Sequence, residues 1–339
     1  MLILAFESSC DETSVAIASF EGESKKVLSN QTATQIAIHA LYGGVVPEIA
    51  GRAHIEAISA LTYAAFEEAG VTVGDIDAVA VTSEPGLIGA LLVAVNYAKA
   101  FAFANGKPLI GVNHIRGHIA ATYYEYPELK PPFFAMVASG GHTSLIDVKS
   151  PTEFVTVGRT RDDAIGEAFD KVARVLGMPY PGGAEMDKLA YEGDPHAIRF
   201  PQAAMQDSLD FSFSGLKTAV INYVHGKKQK GEEIPIPDLA ASFTEAVVGA
   251  VLRNLEKAHE RMHYSTLVVA GGVAANSHLR RALEGFSKKR GITLCMPSKP
   301  YCGDNGAMIA AQGYYEYLAG NLSDTSLNAR PTVRNPIKS

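Results

Sequence analysis

The sequence predicts an α/β protein with a duplicated, two-lobed fold, and three observations point there. An apolar strand, a turn of small polar residues and a returning strand open the chain at residues 2–19. The same pattern returns at residues 133–148. Each copy is followed by alternating helical and strand periods. Two hairpin turns of this kind can grip the phosphates of a nucleotide from both sides of a cleft.

Taken in order, Leu2 to Phe6 and Val15 to Ser19 read as paired strands around the turn Glu7 to Ser14. A hairpin tip rich in hydroxyl groups suits an anion, but Asp11 and Glu12 within it call for a nearby cation or amine. Tyr42 to Glu48 is a glycine-rich loop. It leads to a helix from about Ala50 to Glu68, with Ile55, Ile58 and Leu61 expected on its inner face. Ile76 to Thr82 reads as a strand, and Glu84-Pro85-Gly86-Leu87 as a turn into the apolar helix Ile88 to Phe103. Pro108 to Val112 is a short buried strand.

Asn113 follows, a good N-cap for a helix through Tyr124. His114 and His118 then lie one turn apart on one face, where two imidazoles can share a metal ion or stand as ordinary polar residues of a first turn.

In the second copy, Phe133 to Ala138 and Leu145 to Val148 flank the turn Ser139 to Ser144. Gly140 and Gly141 let backbone approach a ligand closely. Asp162 to Leu176 reads as a helix with Asp163, Glu167 and Asp170 on one face. Tyr180-Pro181-Gly182-Gly183 turns into a helix carrying Glu185 and Asp187. Leu209 to Leu216 alternates as strand then turn, and Gly226 to Pro237 reads as an exposed loop. Asp238 is expected to cap a long amphipathic helix. Thr266 to Ala270 is a buried strand, and Gly271-Gly272 leads through Asn276 to a helix at Ser277. Asp304 sits at the start of the helix from Ala307 to Leu318, placed to be a third metal ligand. The polar tail after Leu322 is expected to be loosely held.

Composition limits the function classes. The net charge is −6, so the chain is no bulk nucleic-acid binder. Contact with RNA must use local patches, of which residues 227–230, Arg280-Arg281 and 288–290 are candidates, or a partner. The three cysteines, Cys10, Cys295 and Cys302, fit neither a disulfide framework nor a zinc knuckle. They point to a reducing compartment, and cytoplasmic placement is the expectation. Asn96 and Lys99 interrupt the most apolar stretch, so no membrane span is expected.

Seven motifs, taken together, carry a family resemblance. They are Glu7-Ser8-Ser9-Cys10-Asp11-Glu12-Thr13, Tyr42 to Glu48, His114-Ile115-Arg116-Gly117-His118, Ser139-Gly140-Gly141-His142-Thr143, Phe211 to Lys217, Gly271 to Asn276, and Asp304-Asn305-Gly306-Ala307. From Met1 to about Leu318 the chain resembles the TsaD family, the transferase subunit of tRNA threonylcarbamoyladenosine synthase, once described as a glycoprotease. The resemblance implies the ATPase fold shared by actin, sugar kinases and heat-shock chaperones. It implies an acyltransferase that moves a threonylcarbamoyl group from threonylcarbamoyl-adenylate to the exocyclic amine of the adenosine beside the anticodon. The tRNAs concerned read codons starting with A.

The resemblance also implies one divalent metal, iron or else zinc, at His114, His118 and Asp304. An adenylate-type donor maps to Val137, Ala138, Ser139, Gly140, Gly141, Asp170, Gly183, Asp187 and Asn276. A paralogue similar to TsaB and an ATPase similar to TsaE are the implied partners, with tRNA as substrate. No general base can be named; Asp11, Glu12 and His142 are the candidates. Three positions depart from the family pattern: Arg116, where glutamate is frequent, Glu84 at the head of the Pro-Gly-Leu turn, and Val137, where archaeal relatives carry a metal-binding tyrosine. The last predicts an open coordination position. The expected division is a first lobe at 1–110, with the C-terminal helix 307–325 packing back on it, and a second lobe at 111–306.

Two other readings compete. A zinc peptidase of the His-Glu-x-x-His type needs a glutamate directly after the first histidine, and Ile115 stands there. A kinase-like or non-catalytic ATPase of the same fold has no need of a histidine pair.

Overall fold

The structure is a computed structural model that describes residues 1–201 and 207–332. In chain order the elements are β1 (Leu2–Glu7), β2 (Glu12–Glu21), β3 (Ser24–Thr34), α1 (Ile36–Ala40), α2 (Pro47–Ala69), β4 (Ala78–Glu84), α3 (Ile88–Ala104), β5 (Leu109–Asn113) and α4 (His114–Ala120). There follow β6 (Phe133–Ala138), β7 (Thr143–Ser150), β8 (Glu153–Arg159), α5 (Ile165–Val175), α6 (Gly183–Leu189), α7 (Ser214–Gln229), α8 (Ile236–Met262), β9 (Thr266–Ala270), α9 (Ser277–Arg290), β10 (Thr293–Cys295) and α10 (Gly306–Leu318).

Two five-stranded sheets carry the duplication. The first runs β3-β2-β1-β4-β5, and the second, read from its other edge, runs β8-β7-β6-β9-β10. In each, the opening strand pairs antiparallel with its successor and parallel with the fourth strand of its own set. Strands β3 and β8 went unread in the sequence because they are edge strands in which exposed and partly buried residues alternate weakly.

The chain divides into two compact units. The first holds Met1–Pro131, Ser150–Glu153 and Pro297–Ser339, and the second holds Pro132–Lys149 and Phe154–Met296. A boundary at 110–111 would cut through β5, which stays whole in the first unit because it pairs with β4.

In the first unit, side chains alternate across the sheet. Leu4, Phe6, Val15 and Ile17 face a core shared with Leu91, Ala94 and Ala98 of α3 and Ile58 of α2. Ile3, Ala5 and Ala80 face the opposite layer, with Met308, Ile309 and Ala310 of α10. Of the three residues expected on the inner face of α2, Ile58 is buried in the core and Leu61 packs against it, but Ile55 is not on that face. The buried residues of α2 are Ala50, His54, Ile58, Thr62 and Ala65, and Ile55 is 64% exposed. Two buried polar residues on that stripe hid its period.

The tail beyond Leu322 is not loose through residue 332. Ser323 N–H donates to Leu109 O, Lys99 Nζ to Leu327 O, and Arg330 N–H to Ser83 O at 2.8 Å. The side chain of Leu327 fills the space beside Gly111, where a Cβ would come within 2.7 Å of it.

In the second unit, the expected strand at 209–216 gives way to helix α7 from Ser214. Asp162 draws the chain in there, accepting from Phe213 N at 2.8 Å, Ser214 N at 3.2 Å and the Ser212 hydroxyl. Leu216, Val220 and Val224 are the buried stripe of α7, which runs on to Gln229 where a loop was expected. Asp238 does not cap α8. The helix begins two residues earlier, and Asp238 accepts from Asp194 N at 2.9 Å.

Helix α10 lies so close to β4 that a Cβ on Gly313 would be 2.6 Å from Ala80 Cβ. Gly313→Val is therefore expected to destabilise the first unit by about 1–3 kcal/mol through overpacking. Gly285→Ala on α9 meets nothing within 4 Å and should stabilise by up to about 1 kcal/mol. Urea midpoints of the two variants, shifted in opposite directions from the parent, check both.

Candidate metal centre and donor loops

Asn113 turns β5 into α4. Its side-chain oxygen accepts from Ile115 N at 3.0 Å and Arg116 N at 3.2 Å, capping the helix as expected. One turn apart, the rings of His114 and His118 lie 4.6 Å apart at 80°. Asp304, two residues before α10, comes to meet them. Its Oδ1 is 3.5 Å from His114 Nε2 and 3.2 Å from His118 Nε2. A ligand atom from each of the three lies within 4.8 Å of the others.

Three features of the chain fit a metal here. First, a tetrahedral ion about 2.0–2.1 Å from each donor sets donor separations of about 3.3 Å; the two measured separations are close to that. Second, His118 is fully buried, its Nδ1 makes no hydrogen bond, and its Nε2 has only the Asp304 carboxylate beside it, out of hydrogen-bond geometry. Such an orphan costs stability unless something binds it. Third, carboxylates crowd the spot. Burial, reinforced by Asp304, Asp11 and Glu7, pushes the Glu12 carboxyl up to about 10. A carboxyl so placed keeps its proton at neutral pH, and a cation held by Asp304 would release it.

Glu7 completes the centre and was missed as a functional residue. It is wholly buried at the end of β1, and its Oε2 lies 3.1 Å from His114 Nδ1. Thr82 Oγ1 and Ser9 N also donate to Glu7. A proton on His114 Nδ1 therefore points at Glu7, leaving Nε2 as the ligand atom: a carboxylate–imidazole–metal arrangement. Burial would raise the Glu7 carboxyl, but the His114 ring beside it, with help from Thr82, holds it below its ordinary value. The signal in the sequence was a carboxylate closing an apolar strand. Ser9, whose Oγ lies 3.1 Å from His114 Nδ1, is itself held by the Glu84–Leu87 turn. Leu87 N donates to Ser9 O at 2.8 Å, and Gly86 packs so tightly that a Cβ would lie 2.6 Å from that oxygen.

The departures at Arg116 and Glu84 have structural accounts. Arg116 points off the histidine face. Its Nη1 reaches Glu316 Oε1 at 3.2 Å and Thr152 O at 3.3 Å. Glu316 is buried and also accepts from Gln312 and Asn321, so Arg116 pins α4 to α10. Glu84 accepts from Asn113 Nδ2 at 3.4 Å and pairs with Arg330.

The residues expected to hold an adenylate all fall in the second unit. Val137 and Ala138 close β6 with fully buried side chains. Ser139 N donates to His142 O at 2.8 Å, and His142 N to Ser139 Oγ at 3.2 Å, which tightens the turn. The carbonyls of Ser139 and Gly140 accept from Gly166 and Glu167 at the start of α5. A Cβ on Gly140 or Gly141 would meet nothing within 4 Å, so both glycines face open space.

Asp170 Oδ1 accepts from Gly182 N at 2.8 Å and so holds the loop before Gly183. Asp187 accepts from Ser277 N, Ser277 Oγ and His278 Nδ1, and Asn276 Oδ1 from Leu279 N. The structure thus brings Asp187 and Asn276 together at the start of α9. Burial works to raise Asp187, but the His278 and Ser277 bonds hold it low. Asp163 carries no free charge: it pairs with Lys171 and Lys217, each at 2.7 Å. Of the three general-base candidates, Asp11 and Glu12 belong to the first unit, where Asp304 helps to raise the Glu12 carboxyl, while His142 belongs to the second unit.

Comparison with known proteins is consistent across sequence and fold. The profile of the TsaD family, described as tRNA N6-adenosine threonylcarbamoyltransferase, matches residues 26–311. A protein of that name from Clostridium botulinum is 53% identical over 333 residues, covering 98% of this chain and 97% of its own. Its counterpart in Clostridium perfringens is 52% identical over 334 residues, covering 98% of each. Among solved structures, HypF of T. kodakarensis superposes with a TM-score of 0.65 at 14% identity, over 96% of this chain and 49% of that one. Component A of the Acidaminococcus fermentans (R)-2-hydroxyglutaryl-CoA dehydratase gives 0.55 at 14%, over 94% and 99%. At such identities these two speak to fold alone, and the fold is the actin-like ATPase fold.

Two outcomes are expected at the centre. His114→Ala, His118→Ala and Asp304→Ala should each lower bound metal, read by elemental analysis of folded protein. Burial opposes a charge on His114, but Asp304 and Glu7 outweigh it and push the ring up to about 9 in the metal-free chain. Its folded value is raised, so that stabilising proton is fully present below about 6.5 and lost through about 9. A metal must displace it. With one proton leaving His114 and a second leaving Glu12, apparent metal affinity should therefore rise about a hundredfold per pH unit between roughly 7 and 9, and calorimetry in buffers of different ionisation enthalpy should detect about two protons released.

Proposed function

This chain belongs to the TsaD family of tRNA N6-adenosine threonylcarbamoyltransferases, and from that premise we propose that it transfers a threonylcarbamoyl group from threonylcarbamoyl-adenylate to the N6 amine of the adenosine next to the anticodon, in tRNAs reading codons that start with A. The observation that carries the reading is identity of about half the residues along nearly the whole length of proteins bearing that name. It is a tRNA-modifying transferase; a peptidase reading would need an acid where buried Ile115 stands.

His114, His118 and Asp304 are the residues that would hold a divalent ion, iron by family resemblance, with zinc equally suited to a nitrogen and oxygen donor set. Bound there, such an ion supplies Lewis-acid stabilisation to the donor's oxygens. Glu7 orients the His114 ring by accepting from Nδ1. Gly140 and Gly141 present a turn open to solvent whose amides can hold the donor, and the buried Ser139, whose hydroxyl accepts from His142 N, keeps its O–H to donate. Gly183 opens α6, where the first N–H groups suit a phosphate, while the N–H groups of Ser277, His278 and Leu279 at the start of α9 are taken by Asp187 and Asn276, so Asn276 would contribute through its side-chain amide nitrogen. Asp170 and Asp187 hold those two loops in place; Asp187 already accepts from Ser277 N, Ser277 Oγ, His278 N and His278 Nδ1, so a ribose or threonyl hydroxyl would have to displace one of these bonds there, while Asp170 can accept one directly. Val137 and Ala138 would contribute through backbone. Asp11, Glu12 and His142 remain the candidates to take the amine's proton.

The chain is acidic, and its basic clusters are short. Partner proteins similar to TsaB and TsaE are therefore part of the proposal, with docking on the first unit. Leu41 and Tyr42 in the α1–α2 loop are 83% and 60% exposed there. No helix among the described residues is long and apolar enough to cross a membrane, and the cytoplasm is the proposed location.

Two measurements test this. Gly141→Val should fold as the parent does and lose affinity for a non-hydrolysable threonylcarbamoyl-adenylate analogue by about 100-fold or more, read by titration calorimetry. Unchanged affinity in that folded variant would remove the hairpin from the donor site. In tRNA modification assays the purified chain alone should fail to turn over repeatedly, and addition of the two partners should restore multiple turnovers. Full turnover without them would exclude the partner requirement.

A further inference from the structure

Between the α1–α2 loop and the turn at Cys10–Thr13, buried side chains form one unbroken line of hydrogen bonds that the transfer chemistry above does not use. Val46 N–H donates to His39 Nδ1 at 3.3 Å. A neutral His39 then carries its proton on Nε2, which donates to Gln35 Oε1 at 3.0 Å. The amide nitrogen of Gln35 reaches His54 Nδ1 at 3.3 Å, and Thr13 Oγ1 lies 2.7 Å from the same nitrogen. With Nδ1 accepting, His54 carries its proton on Nε2 and donates to Cys10 O at 3.0 Å. Every link runs in the same sense with both rings neutral. Burial holds His54 below the usual imidazole range, in keeping with that state.

Both histidines are wholly buried, and Gln35 is 3% exposed. At His54 Nδ1 one lone pair serves two donors, Thr13 Oγ1 and the Gln35 amide, and that amide also reaches Ala50 O at 3.4 Å, so Gln35 ties His54 to the backbone of α2 as well. The two ends of the line lie at different places in the first unit. One end is the 41–46 loop, with its exposed Leu41 and Tyr42. The other is the turn that continues into Asp11 and Glu12, where Gln35 N adds a bond to Asp11 O at 2.9 Å. Nothing in a strand–turn–strand hairpin requires such a line, since the ladder between β1 and β2 already fixes the strands.

We infer that His39, Gln35 and His54 are positioning residues for the transfer reaction: they set the Cys10–Thr13 turn beside Asp304 and tie its geometry to the 41–46 loop. The activity arm of this inference rests on the transferase reading; the exchange arm does not.

The sharpest test is a pair of amide substitutions. His54→Gln keeps an N–H near the Nε2 position and with it the bond to Cys10. His54→Asn ends near the Nδ1 position and loses that bond. In the complete system with tRNA and partners, His54→Asn should lower kcat about tenfold or more with donor KM and bound metal unchanged, while His54→Gln stays within about threefold of the parent. Equal kcat in the two variants overturns the inference, as does a loss of metal or a KM increase that accounts for the defect.

The second arm is hydrogen–deuterium exchange of His39→Leu. Amides of residues 11–14 should exchange faster together with those of 44–46; acceleration confined to 44–46 overturns the coupling. A parent chain inactive in the complete system counts against the transferase reading, and the exchange result then decides the relay.

Discussion

The buried pairing of Glu7 with His114 is the interaction on which the first unit's chemistry depends. A carboxylate at the end of a central strand is costly to bury and is tolerated because three donors converge on it. Its place in β1 is set by the sheet, and Thr82 comes from the neighbouring strand β4. The imidazole it orients starts the helix after β5. The centre is therefore assembled from three adjacent parallel or paired strands and the first turn beyond them. Asp304 joins because α10 lies on the same sheet, held so close that Gly306 and Gly313 admit no Cβ without displacement. Chemistry and core packing share the same strands, which leaves little freedom to alter one without the other.

The second unit uses acidic residues differently. Asp162, Asp170 and Asp187 each accept from backbone amides at the start of a helix or loop. Each holds in place the segment whose N–H groups donate to it. The acids thus use their acceptor capacity on internal bonds, and at Asp187 the bonds from Ser277 and His278 hold the carboxyl below its ordinary value.

Much of this was legible from the sequence. The two hairpins, the apolar strands and helix α3, and the Asn113 cap stand out by period and turn chemistry. His114 and His118 were legible as a pair because four-residue spacing maps to one helix face. Asp304 was legible as a possible third ligand from its place at a helix start, and the family resemblance joined it to the histidines, since residues far apart in sequence meet through topology that spacing does not encode. Glu7 was hidden for the same reason: its partner His114 lies in another element. On α2, Ile58 and Leu61 were read correctly and Ile55 was not, because the polar His54 and Thr62 occupy part of the inner face. Helix α7 was misread because Leu209 to Ser214 alternates with period two, and the capping acid, Asp162, lies some fifty residues upstream. Local pattern reports local structure, and the failures cluster where a distant polar group decides the outcome.

The segment from Ser323 to Pro331 has a consequence for the solution behaviour of the whole chain. Strand β5 is the last in its sheet, and an uncovered last strand offers a row of unpaired backbone groups to any other chain. Here Ser323 bridges Leu109, its hydroxyl accepts from Gly111 N, and Leu327 seals the space beside that glycine. The C-terminal residues thus act as a built-in guard against intermolecular β-pairing. Shortening the chain at the end of α10 would leave the centre's own residues intact and yet uncover a sticky border, so the solubility of the protein is written in a stretch that carries none of its chemistry.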